Sequence, residues 1–217
     1  MAEQRTALVT GANRGLGQAV AAELSRRGLR VVPTARQAGG TNGAQVLDVT
    51  DAESVRRAAE QVGAVDVLIC NAGVLLDGGT DPLSVSLDLV ERTLAVNLLG
   101  GWRVAQIFVP GMISRGWGRV VFVSSGTGTF DGGLFTGAPG YSVSKTAVNG
   151  LTTMLAAHTK DTGVLVNAVN PGPTRTRMMP SARRSVRESA DDIVHAATLS
   201  DDGPSGTLLR NRRPAPW

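Results

Sequence analysis

The sequence predicts a single α/β domain, a doubly wound sheet of about seven mainly parallel strands with helices on both faces. Two observations carry this reading. Short apolar runs alternate with helix-periodic segments along the whole chain, with no linker, repeat or charge block between them. Alternation of this kind folds as right-handed crossovers onto one parallel sheet. Aromatic residues are only 4% of the chain against 42% hydrophobic. The core is therefore built from Val, Leu and Ala, which suit strands covered on both faces.

The elements follow in order. Residues 5–10 read as a strand and 15–27 as a helix closed by Gly28. Residues 29–34 are a second strand; Pro33 lacks a ladder donor and is expected near the strand end or facing an unpaired position. A glycine-rich loop over 37–43 leads to a short strand, 44–48. Thr50-Asp51-Ala52-Glu53 has the capping-box pattern and opens a helix to Val62. A fourth strand, 66–70, and a loop over 74–83 precede a long helical region, 84–114, with a break expected near Gly100-Gly101 or Pro110. Residues 118–123 are a fifth strand. The segment 126–140 holds Gly126, Gly128, Gly132, Gly133 and Gly137 and reads as loop. Then come a helix at 141–162, a strand at 164–169 and an irregular stretch at 170–184. Ser185 and Glu188 form a second capping box opening a helix to Leu199; a last strand at 206–210 leaves a tail ending at Trp217.

Composition excludes several classes. The net charge of +4 and pI of 10.2 reflect arginine. No basic stripe interleaved with aromatics marks a nucleic-acid partner. Cys70 is the only cysteine, so no internal disulfide forms, and no Cys/His group has zinc spacing. His158 and His195 read as ordinary helix residues. The N-terminus lacks a signal-peptide core and no apolar stretch has membrane-spanning length, so a cytoplasmic protein with no membrane partner is expected.

In such sheets ligands bind beyond the carboxyl ends of the strands. The loops there hold Gly11 to Gly17, Arg36, Asp48, Asn71 to Gly73, Ser124-Ser125 and Pro171-Gly172. Thr10 to Gly17 has Gly-x-x-x-Gly-x-Gly spacing between strand and helix, a layout that offers backbone N–H groups and a helix N-terminus to a pyrophosphate. A glycine-rich turn with no ligand is the alternative. Tyr141 and Lys145 are four apart and share a helix face. An ammonium near a phenol lowers its pKa, which suits general acid–base work. Ser125 ends the preceding strand, where its hydroxyl would meet a substrate oxygen; the alternative is a helix that carries the Tyr–Lys pair by chance.

Thr10-Gly11-x-x-x-Gly15-x-Gly17, Asp48-Val49, Asn71-Ala72-Gly73, Asn97, Ser125, Tyr141-x-x-x-Lys145 and Pro171-Gly172-x-x-x-Thr176 occur together and in order. With these motifs the chain resembles the short-chain dehydrogenase/reductase family over essentially its whole length. The run Ala197 to Gly206 and the ending from Arg210 resemble the carbonyl-reductase-like branch. The resemblance implies one NAD(P)-binding Rossmann-type domain over 1–217, with substrate loops at 126–140 and 173–187. It implies a cofactor seat of Gly11, Asn13, Arg14, Gly15, Leu16, Gly17, Arg36, Asp48, Val49, Asn71, Ala72, Gly73, Pro171, Gly172, Thr174 and Thr176. Asp48 is expected on the adenine amino group and Thr176 on the carboxamide. Tyr141 passes the proton; Lys145 lowers its pKa and binds the nicotinamide ribose. Ser125, rather than its rival Ser124, orients the carbonyl. Asn97 sits at a helix distortion and holds a water linking Lys145 to solvent.

Cofactor choice has a local signal. An NAD site usually places an acidic side chain after the second strand. Here neutral Ala35 stands there, followed by Arg36, and Arg14 lies in the glycine turn. Two guanidinium groups suit a 2′-phosphate, so NADP(H) is expected; solvated arginines are the alternative. The substrate roof offers Phe130, Leu134, Phe135, Met178 and Met179 beside Ser125 and Tyr141, which suggests a bulky or apolar carbonyl compound. Arg175, Arg177, Arg183 and Arg184 would meet an anionic substrate or form a solvated flap. Ser125 and Tyr141 stand slightly further apart than in many relatives, without the large insertion of some monomeric carbonyl reductases. The faces of 84–115 and 141–162 stay free, and a homodimer or homotetramer is expected. Alcohol oxidation, dehydratase or epimerase chemistry, and a non-catalytic dinucleotide sensor, are the other functions this scaffold supports.

Overall fold

The computed structural model describes residues 4–37, 43–131 and 133–217. Most of the loop expected at 37–43, and Gly132, lie outside the described residues. Among the described residues eight strands form one sheet: β1 (Thr6–Val9), β2 (Arg30–Ala35), β3 (Gln45–Val46), β4 (Val67–Cys70), β5 (Gly118–Val123), β6 (Val164–Asn170), β7 (Leu208–Arg210) and β8 (Arg213–Ala215). The helices are α1 (Gly15–Arg26), α2 (Ala52–Val62), α3 (Leu87–Leu94), α4 (Gly101–Arg115), α5 (Pro139–His158) and α6 (Val186–Ala197). The spatial order is β3-β2-β1-β4-β5-β6-β7-β8, parallel except for β8. The order reverses between β1 and β4, which opens the ligand crevice of a doubly wound sheet there.

Side chains alternate across the sheet. Leu8, Leu68, Cys70, Val120 and Phe122 face one apolar cluster with residues of α2, α4 and α5. Ala7, Val9, Val67, Ile69, Val121 and Val123 face the other, with α1 and α6. This period of two is why each central strand reads as a continuous apolar run: both faces are covered. Pro33 pairs with Val9, and the β2–β3 ladder begins one residue later, at Thr34. The missing donor thus falls where no partner strand is bonded, as expected.

Several boundaries depart from the sequence reading. Pro110 sits inside α4 without ending it. The interruption falls at the other expected place: a π-helical segment, Ala95–Gly100, absorbs one extra residue per turn and ends at the Gly100-Gly101 pair. A Cβ on Gly100 would lie 2.6 Å from Val49 Cγ2, so this helix approaches β3's exit only through a glycine. Thr50 is not the cap of α2. Its N–H and hydroxyl are turned back on the Asp48 carboxylate, and Asp51 caps the helix by accepting from Glu53 N. The Ser185–Glu188 capping box forms as read. Helix α5 starts two residues before Tyr141, with Pro139 in its first turn. The tail past 210 is not free: it turns at Asn211-Arg212 and pairs back as an eighth strand, which raises the expected seven to eight. No described helix is long and apolar enough to cross a membrane.

Candidate active site

The glycine turn is held from β4. Thr10 donates its hydroxyl to the Ile69 carbonyl and accepts from the N–H groups of Asn71 and Ala72; Asn71 Nδ2 donates to the carbonyls of Thr10 at 2.8 Å and Gly11 at 3.2 Å. A Cβ on Gly17 would stand 2.4 Å from both Asn71 Nδ2 and the Gly11 carbonyl, so only glycine lets α1 start this close. The N-cap residue, Arg14, makes no side-chain cap, and no acidic residue sits in the first turn of α1. The N-terminal N–H groups and the positive end of the helix are therefore open to an anion. Arg14 and Arg36 are exposed, and neither pairs with an acidic group among the described residues. An open cradle flanked by two free guanidinium groups fits a dinucleotide phosphate.

The other expected cofactor residues divide. Asn13 is half-buried in the turn, while Leu16 packs partly into the core beneath α1. Asp48 lies half-buried at the surface, whereas Val49 is buried and faces the core. Gly73 faces Lys145: a Cβ there would be 3.7 Å from Nζ and 3.4 Å from Asn97 Oδ1. Pro171 and Gly172 follow β6, and the methyl of Thr176 reaches back to within 3.9 Å of a Cβ placed on Gly15. Thr174 is turned away from the crevice. Its buried hydroxyl bonds the Gly172 carbonyl and Ser189 of α6, so that group supports the loop instead of offering itself to a cofactor.

The catalytic candidates converge between β5 and α5. Ser124 is buried and donates to Asn149 Oδ1 at 2.6 Å, which commits it to the core. Ser125 is half-buried, accepts from Thr127 N and Thr127 Oγ1, and interacts with the Tyr141 phenol. The choice of Ser125 over Ser124 thus rests on where each hydroxyl points. Lys145 is 5% exposed; Nζ donates to the Val123 carbonyl at 2.8 Å and stands 5.5 Å from the centre of the Tyr141 ring. Burial pulls the Lys145 pKa down to about 8. Burial also raises that of Tyr141, and the Ser125 hydroxyl opposes the rise. Burial outweighs any acidification of the phenol here, and the Lys145 ammonium is bonded to the Val123 carbonyl.

Asn97 lies in the π-helical segment, as the expected distortion requires. Both ends of its amide are engaged: Oδ1 accepts from Val74 N, and Nδ2 donates to the Val74 carbonyl and to Ser144 Oγ. Its side chain therefore ties the loop after β4 to α5. Cys70 is buried, its thiol pushed up to about 12, and behaves as a small apolar filler.

Two contacts have no local signal in the sequence. Asp77, 1% exposed, accepts from Gly140 N at 2.5 Å and Tyr141 N at 3.3 Å, across more than sixty residues of chain. The Trp217 carbonyl accepts from the N–H groups of Phe130 and Asp131, so the β8 end of the chain holds the loop expected to roof the substrate. On that roof Phe130, Phe135, Met178 and Met179 are exposed and Leu134 is half-buried. The Arg184 guanidinium is engaged by the protein itself. It bonds the Pro171 carbonyl and Asp192, which also holds Arg212. Arg175, Arg177 and Arg183 stay exposed. Among the described residues no group of His, Cys, Asp or Glu is placed to hold a metal.

Comparisons with known proteins bear on family and fold. The family model for short chain dehydrogenase matches residues 5–187. The oxidoreductase UcpA of Escherichia coli K12 is 35% identical over 207 residues, covering 88% of this chain and 77% of that protein. The 3-oxoacyl-[acyl-carrier-protein] reductase FabG of Vibrio harveyi is 33% identical over 220 residues, covering 95% and 84%. A solved structure from Beutenbergia cavernae, described as an NAD(P)-dependent gluconate 5-dehydrogenase with NADP bound at low occupancy, is 31% identical with a TM-score of 0.81, covering 95% and 94%. The chain belongs to the short-chain dehydrogenase/reductase family of oxidoreductases, whose members use NAD(P)(H).

Proposed function

We propose that this protein is an NADPH-dependent carbonyl reductase, of the carbonyl-reductase-like type, that converts a bulky or apolar ketone or aldehyde to its alcohol with Tyr141 as proton donor. The observation that supports this most is the meeting of Ser125, Tyr141 and Lys145 beside the open glycine turn. NADPH, when bound, supplies the hydride for the carbonyl carbon. Tyr141 gives its proton to the carbonyl oxygen. Ser125 accepts two bonds from Thr127, and its own O–H, directed at the Tyr141 phenol in the free protein, turns to donate to that same oxygen. Lys145 acts once it leaves the Val123 carbonyl: an ammonium beside the phenolic oxygen favours the phenolate that proton transfer leaves behind. A relay through water at Asn97 then restores the proton. Holding carbonyl and donor in register supplies the orientation that a bimolecular reaction lacks.

The NADPH preference is supported by Arg14, Arg36 and the neutral, buried Ala35. The apolar roof of Phe130, Phe135, Met178 and Met179 supports the substrate class. Exposed Leu87, Leu99, Ile107, Val143 and Met154 on α3, the π segment, α4 and α5 support a homodimer or homotetramer, and a cytoplasmic setting belongs to the same reading. The test is oxidation of NADPH or NADH against a panel of ketones and aldehydes. NADPH should be consumed with the higher kcat/KM and fastest with apolar aryl or long-chain carbonyls. Equal or better use of NADH would contradict the assignment of Arg14 and Arg36, and turnover only with NADP⁺ and alcohols would reverse the direction. A purely monomeric species on sizing would remove the oligomer.

A further inference from the structure

We propose that Asp77 is the positioning residue of the proton donor: its buried carboxylate caps α5 from a distant loop and so fixes the direction of Tyr141. This rests on Tyr141 being the acid, as above. Tyr141 is the third residue of α5, in the turn of a helix most prone to fray. The segment before it is glycine-rich, and Ala138 at the N-cap position offers no side-chain acceptor. Pro139 removes one orphan donor. The next two, Gly140 N and Tyr141 N, both go to Asp77.

The approach is built on both sides. A Cβ on Gly140 would stand 3.0 Å from Asp77 Oδ2 and 3.1 Å from Val90 Cγ2, so the carboxylate reaches these amides because that position is glycine. The Asp77 loop is itself anchored: Gly79 N donates to the Gly137 carbonyl, Thr80 Oγ1 donates to the Asp77 carbonyl, and Val74 is clasped by Asn97. Asp77 makes no ion pair among the described residues. Its charge is met by backbone N–H groups at the positive end of α5, where a carboxylate is favoured. One loop after β4 thus borders the cofactor crevice at Gly73 and aims the phenol from Asp77.

The experiment compares wild type, Asp77→Ala, Asp77→Asn and Gly140→Ala in steady-state reduction of a ketone the wild type accepts, with NADPH affinity measured separately. Asp77→Ala and Gly140→Ala are expected to lower kcat at least tenfold and leave NADPH affinity and the ketone KM within threefold. Asp77→Asn keeps an oxygen for the amides and should recover most of kcat. Wild-type kcat in Asp77→Ala, or equal damage in Asp77→Asn and Asp77→Ala, overturns the proposal. Should the wild type turn over no carbonyl, the proposed reaction fails by itself. The Asp77 arm is then read from a ¹³Cζ-tyrosine label, since Tyr141 is the only tyrosine. Asp77→Ala is expected to shift and broaden that resonance and Asp77→Asn to leave it near wild type; an unchanged resonance in Asp77→Ala overturns the positioning role.

Discussion

Two buried cations mark opposite ends of β5, and they are treated differently. Arg119, near the start of the strand, donates to the carbonyls of Leu199, Gly118 and Gly163 and to Asp201, and its guanidinium lies 4.3 Å from the centre of the Trp117 ring. Lys145 meets the far end of the same strand through one bond, to the Val123 carbonyl, and pairs with no carboxylate among the described residues. An ammonium carries three donors, so Lys145 is held short of satisfaction in a dry place. Burial lowers both pKa values; at Arg119 the carboxylate of Asp201 opposes the effect, whereas burial acts alone on Lys145. The first cation closes the amino-terminal end of the sheet. The second keeps free bonding capacity beside the proposed proton donor, Tyr141.

The largest effect expected lies at the reactive end. Tyr141→Phe removes the proposed proton donor and leaves the glycine turn untouched. Turnover should fall roughly 10²–10⁴-fold, the usual range for a lost general acid, with NADPH affinity unchanged by fluorescence titration. Retained turnover would place the acid elsewhere. At the structural end Arg119→Met removes bonds to three backbone carbonyls, of which Gly163 keeps its bond from Gly118 N. It should cost about 3 kcal/mol in denaturant unfolding, since each buried unpaired group costs about 1–3 kcal/mol, while kcat per folded molecule stays unchanged.

A smaller effect tests the phosphate side of the crevice. Arg36→Ala should lower the NADPH-to-NADH ratio of kcat/KM about tenfold, in line with one charge-assisted hydrogen bond of about 1.5 kcal/mol. An unchanged ratio would make Arg36 a solvated surface group. The smallest effect sharpens the comparison of the two cations directly. The folded pKa of Lys145, about 8, lies below its ordinary 10.5. Between those values the unfolded chain holds more protons, so this residue's contribution to stability increases as pH rises. The cost of burying its charge is present in full below about pH 8 and is relieved towards pH 10.5. Wild type should therefore gain stability relative to Lys145→Met across that window. A constant difference from pH 7 to 10 would show that Lys145 is not buried as a charge.

The sheet was legible because its causes are local. Two covered faces demand apolar runs in β1, β4, β5 and β6, and the alternation with helices leaves few topologies. The site was legible where chemistry forces a residue type at a fixed spacing: the close approach at Gly17, and Tyr141 one helical turn from Lys145. What escaped is non-local. Asp77 caps a helix from another loop, and capping rules look only at the residues just before a helix. The backbone of Trp217 holds Phe130 and Asp131, and a main-chain acceptor leaves no trace in residue type. Thr50 matched a capping box, yet Asp51 accepts from Glu53 N while Thr50 bonds the Asp48 carboxylate, so competition between Thr50 and Asp51 as acceptors decided that boundary. The π segment was visible only as an uncertain break, because nothing in Ala95–Gly100 distinguishes one extra residue per turn from a kink.

The account stands on the acidity of one phenol and on Lys145 as the group that lowers it. Tyr141 is the only tyrosine, so a ¹³Cζ-tyrosine label gives one resonance whose titration reports that proton alone. In the free protein the phenol should titrate above its ordinary value of 10.0. Saturation with NADP⁺ should bring it below that value in wild type and leave it high in Lys145→Met. A wild-type phenol that NADP⁺ does not move, or one that moves equally in Lys145→Met, would contradict the account.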